Sequence, residues 1–86
     1  MVTVNTRVRV LKGCKARDIN KGTTWQVTEV KPLGAEYSHS VAVLLTRLNG
    51  FGPKTITLYA RHPNRLSDAV LNLNDGNPLH TVQIRA

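Results

Sequence analysis

The stretch Leu11 to Gly22 reads LKGCKARDINKG and holds three lysines, one arginine, one aspartate, two glycines and the chain's single cysteine. Cys14 stands between Lys12 and Lys15, and neighbouring cations favour a thiolate, so the first chemistry to weigh is a nucleophilic cysteine. A nucleophile needs a base and a group to orient that base. His39, His62 and His80 fall in three separate turns or strand ends with no recognisable spacing. One cysteine with dispersed histidines also lacks a zinc-ligand pattern. Asp18, Glu29, Glu36, Asp68 and Asp75 form no locally spaced pair for acid–base work, and Asp75 within NDGN reads as a turn former. Gly50 and Gly52 join two strands and open no helix, so they make no phosphate cradle. The expectation is a protein that is not an enzyme, takes no cofactor and no metal, and keeps Cys14 as a small loop residue.

The charges of the same stretch offer a different chemistry. Twelve Lys and Arg against five Asp and Glu give a net charge of +7, and such a surplus on a small body attracts polyanions, nucleic acid foremost and anionic membrane surfaces next. Lys12, Lys15, Arg17 and Lys21 crowd the loop and Arg7 and Arg9 precede it, so six of the twelve cations lie within fifteen residues, countered by Asp18. A patch of this kind contacts phosphates, which gives position and affinity without reading bases. The plainer alternative is a solvated hairpin tip whose lysines discourage edge pairing. Aromatic rings are the second ingredient of single-strand recognition. Tyr59 is the first candidate, on the outward parity of its strand with Thr55, Thr57 and Arg61, and Phe51 in NGFGP is the next. Trp25 shares a face with Val27 and is read as core, with a stacking platform as its alternative.

The elements that must position these residues are strands. Eighty-six residues make one domain with little room for a large cavity. Val2, Val4, Val8 and Val10 fall on even positions against Thr3, Arg7 and Arg9 on odd ones, the period-two pattern of a half-buried strand over about Thr6 to Leu11. Thr23 to Lys31 is rich in β-branched residues and ends at Pro32 and Gly34. Val41 to Arg47 is the most apolar run, the Asn49 to Pro53 turn predicts a hairpin, and Lys54 to Arg61 alternates with Ile56, Leu58 and Ala60 inward. A single helical turn is predicted near residues 63–67, then a short strand over Val70 to Leu73, a turn over Asn74 to Pro78 and a last strand over Thr81 to Arg85. The fold class expected is all-β: a small antiparallel barrel of five or six strands, whose closure hides its edges.

Within that frame, VRVLKG at Val8 to Gly13, the basic loop, Lys21-Gly22 and TTWQVTEV at Thr23 to Val30 resemble a KOW motif. The resemblance covers about residues 6–30: Val8 and Val10 match the apolar pair, Gly13 and Gly22 the flanking glycines, Lys21 the basic residue before the second glycine and Val27 an apolar position in the second strand. The loop departs from the motif in carrying Cys14, Ala16, Asp18 and Ile19 where another glycine is usual, and Trp25 is a bulky choice. The resemblance implies an SH3-like barrel whose loops and one sheet face touch RNA, DNA or another protein.

The sequence therefore predicts an accessory or regulatory protein that binds DNA or RNA through Arg7, Arg9, Lys12, Lys15, Arg17, Lys21, Tyr59 and Arg61. The alternative is an assembly module that receives an acidic protein partner or a second copy of itself. The longest apolar run, Val41 to Leu45, is far short of the roughly 20 residues a membrane helix needs. With no secretory pattern and one cysteine, the expected compartment is the cytoplasm, with no membrane partner.

Overall fold

Period-two alternation does what it should. In a computed structural model describing residues 3–34, 39–62, 66–74 and 80–85, six strands form: β1 (Arg7–Lys12), β2 (Thr24–Pro32), β3 (Val41–Arg47), β4 (Thr55–Ala60), β5 (Ala69–Val70) and β6 (Thr81–Arg85). Each pairs antiparallel with the next, and β6 returns to β1, closing a barrel in simple sequence order. The expected small all-β barrel is the observed fold.

Inward residues fill the barrel. Val8, Val10, Trp25, Val27, Val43, Leu45, Leu58 and Val82 are all essentially buried, and each such aliphatic side chain contributes about 1.5–3 kcal/mol through removal from water. Trp25 takes the core position expected of it, and its indole N–H donates to Thr23 Oγ1 at 2.8 Å, so burial leaves no orphan donor.

Two bulges interrupt the alternation. Val10 faces Ile84 but Lys12 faces Gln83, so Leu11 is an extra residue in β1, and Leu11 and Lys12 are both exposed. In β2 Val27 faces Leu45 but Glu29 faces Leu44, making Thr28 the extra residue and moving the next inward position to Val30.

Several expected boundaries shift. β1 starts at Arg7, and Val4 is exposed because the chain before the strand turns at Asn5 (φ 74°), whose N–H donates to Val27 O. Pro32 is the last residue of β2, paired with Val41, since a strand end tolerates the missing N–H. β5 is Ala69–Val70 and not Val70 to Leu73, because the chain turns from Leu71 onward. Residues 66 and 67 are not helical, residues 63–65 and most of the Asn74 to Pro78 turn lie outside the described residues, and a 3₁₀ turn forms instead at Lys15–Arg17, inside the basic loop.

Antiparallel pairing throughout puts the β1–β2 loop and the β3–β4 turn at one rim of the barrel, and the last residues of β2 and β4 at the other.

Candidate functional site

The basic loop is a built structure. Its two apolar residues, Cys14 and Ile19, turn into the core at 1% and 2% exposure, joined by Cys14 N–H to Ile19 O at 2.9 Å and Ile19 N–H to Cys14 O at 3.0 Å. Sequence reasoning took both for loop residues. The closure demands Gly13, where a Cβ would lie 2.2 Å from Ile19 O. Between the anchors, the 3₁₀ turn and Asp18 in the left-handed region (φ 60°) form a tight cap, with Asp18 N–H donating to Lys15 O at 3.1 Å. Pulling the apolar pair inward leaves Lys15, Arg17 and Lys21 exposed at the rim.

Barrel closure completes the patch with a residue the sequence reading passed over. Arg9 on β1 lies directly opposite Arg85 on β6, both exposed. Arg7, Arg9 and Arg85 line an open concavity of about 430 Å³ with Leu11, Thr24 and Val8. Lys12, brought outward by the bulge, donates from Nζ to Thr81 Oγ1 at 3.0 Å, across to β6. The signal for Arg85 was its place on an outward parity of the last strand, but only closure of β6 onto β1 says which residue it meets.

Arg7, Arg9, Lys12 and Arg85 thus run up one wall, and Lys15, Arg17 and Lys21 continue the track over the rim. Elsewhere among the described residues, Lys31 lies 3.5 Å from Glu29 and Arg61 3.8 Å from Asp68. A second hollow, of about 260 Å³ between β2, β3 and β4, is lined by Thr28, Leu44, Leu45, Thr55, Ile56 and Thr57 and carries no charge.

Tyr59 and Arg61 are elsewhere. Tyr59 sits near the end of β4, half-buried and paired with Ala42 and Val70. Since β4 is three strands from β1 in either direction round the barrel, it and Arg61 belong to the opposite wall and the opposite rim. The structure places Arg7, Arg9, Lys12 and Arg85 on one wall and leaves Lys15, Arg17 and Lys21 exposed on the loop above it; it does not bring Tyr59 or Arg61 to them.

Against the basic loop at the rim stands the β3–β4 turn. Arg47 gathers it from within: Nε donates to Pro53 O at 3.2 Å, Nη2 to Gly52 O at 3.2 Å, and Nη1 to Gly50 O. Asn20 Nδ2 donates across to Phe51 O at 3.1 Å, and Thr24 N–H to Asn49 Oδ1 at 2.7 Å. Gly52, at φ 123°, packs so closely that a Cβ would stand 2.5 Å from Asp18 O. Phe51, at the tip, is 88% exposed.

Among the described residues no group of three or more His, Cys, Asp and Glu is placed to hold a metal ion, and no helix is long and apolar enough to cross a membrane. No protein-family model, curated protein or solved structure matches the chain, so function has to be argued from its own residues.

Proposed function

We propose that the protein binds nucleic acid through its phosphates, without chemistry of its own, in an accessory or regulatory role. The observation that supports this most is the run of seven cations, Arg7, Arg9, Arg85, Lys12, Lys15, Arg17 and Lys21, along one wall and rim of a small barrel. Like charges placed side by side, such as Arg9 opposite Arg85, cost stability in the free protein, and a polyanion is the ligand that converts that cost into affinity. The KOW resemblance of residues 6–30 favours the same reading, since Gly13 makes the close approach that shapes the loop.

Affinity should follow the place of the charges and not their number. Arg9→Gln with Arg85→Gln removes two charges from the track, and Lys31→Gln with Arg61→Gln removes two from elsewhere. Fluorescence anisotropy with labelled DNA and RNA at about 50 mM salt should show the first pair weakened by roughly tenfold, alike for every sequence, as expected for lost phosphate contacts. The second pair should stay near wild type. Equal losses in both pairs, or none in either, would reject the assignment of the track.

A further inference from the structure

We infer that Phe51 is a stacking platform for an unpaired base, so that the nucleic acid this protein prefers is single-stranded; this rests on the phosphate-binding reading above. An exposed phenylalanine alone needs no explanation. Phe51 differs in how it is held and in what lies beside it. The turn that carries it is fixed by three hydrogen bonds from Arg47, and Asn20 holds the carbonyl of Phe51 itself. A ring on a turn already ordered loses little further backbone freedom when it takes a ligand. Its neighbour is the basic loop: Gly52 abuts Asp18, and Asn20 belongs to the segment between Arg17 and Lys21. The rim therefore presents an apolar ring next to Lys15, Arg17 and Lys21, the pairing of π-face and cations that single strands use.

The same pairing would suit an anionic membrane surface, but the rest of the track argues for a strand. A membrane is a plane and would touch the rim alone. Here the cations continue down the wall through Lys12 and Arg9 to Arg7, at most roughly 17 Å at the usual rise of about 3.4 Å per strand residue, which suits a linear polyanion leaving the rim. A duplex keeps its bases stacked on one another and has no free face for the ring.

The test compares wild type, Phe51→Ala and Phe51→Trp on four probes: a thymidine 15-mer, an abasic deoxyribose-phosphate 15-mer, a duplex of equal length, and phosphatidylserine-containing vesicles. Phe51→Ala should bind the thymidine 15-mer roughly 5- to 140-fold more weakly, the factor that one base–ring stack is worth, with the abasic and duplex affinities unchanged. Phe51→Trp should retain binding, and its exposed indole should be quenched by the thymidine 15-mer and not by the abasic one; Trp25, buried in wild type, supplies the background. Equal thymidine binding by wild type and Phe51→Ala, with the salt dependence intact, overturns the stacking role and leaves phosphate binding standing. A loss confined to vesicles makes Phe51 a membrane contact and overturns it as well. A wild-type protein that binds none of the nucleic acids removes both readings together. Phe51 is too exposed for its truncation to unfold the barrel, and a matching thermal midpoint confirms this for each variant.

Discussion

Gly13 occupies a place where no side chain fits, because Ile19 O lies 2.2 Å from where its Cβ would be. That approach lets Cys14 and Ile19 bridge each other and enter the core, and it is what turns a charged dodecapeptide into a shaped surface. Gly13→Ala should cost about 1–3 kcal/mol, the usual range for forcing extra atoms into a packed place, read from denaturant unfolding. Cys14 is the built-in reporter: at 1% exposure its thiol should react with a disulfide reagent only as fast as the protein opens, and faster in Gly13→Ala. Rapid labelling of the native wild type would contradict the anchored loop. Little of this was legible beforehand. Cys14 and Ile19 sit among charges, off any strand periodicity, and the contact that buries them is made by the loop's return, which a local pattern does not encode. Arg47 was equally hidden, since an arginine closing an apolar strand looks like a surface charge until the Gly50, Gly52 and Pro53 carbonyls are seen to converge on it.

Strands were the legible level, because their signal is period two and burial is its direct cause. β3 over Val41–Arg47 and β6 over Thr81–Arg85 have the bounds the sequence predicts. β1 departs by a residue because the bulge at Leu11 adds Lys12 to the strand and to the outer face, and bulges leave no mark in an alternation pattern. Closure was expected, but the register between the first and last strands was invisible, and with it the meeting of Arg9 and Arg85. It carries a prediction at the level of the sheet. Directly opposed like charges destabilise, and an opposed pair of unlike charges contributes roughly 0.2–1 kcal/mol. Arg85→Glu should therefore unfold at higher denaturant than wild type while binding nucleic acid more weakly. A variant that loses stability would mean that Arg85 is held by something other than the strand facing it.

The molecule as a whole is a closed meander with its charge unevenly spread. Lys31 and Arg61 lie beside carboxylates, Arg47 is spent on a turn, and seven cations share one wall and rim. The first and last strands pair with each other to close the barrel, and the surface we assign to a ligand is the track. The sequence showed the size of the charge surplus and six of the seven cations of the track, while the separation of Tyr59 and Arg61 from the rest became visible once β4 was placed across from β1. The most direct measurement is the salt dependence of wild-type binding to a single-stranded 20-mer between about 50 and 200 mM. Five to seven neutralised phosphates predict a straight line of log affinity against log salt with a slope of roughly −3.5 to −5. A slope near zero, or no binding at the lowest salt, would contradict a phosphate track.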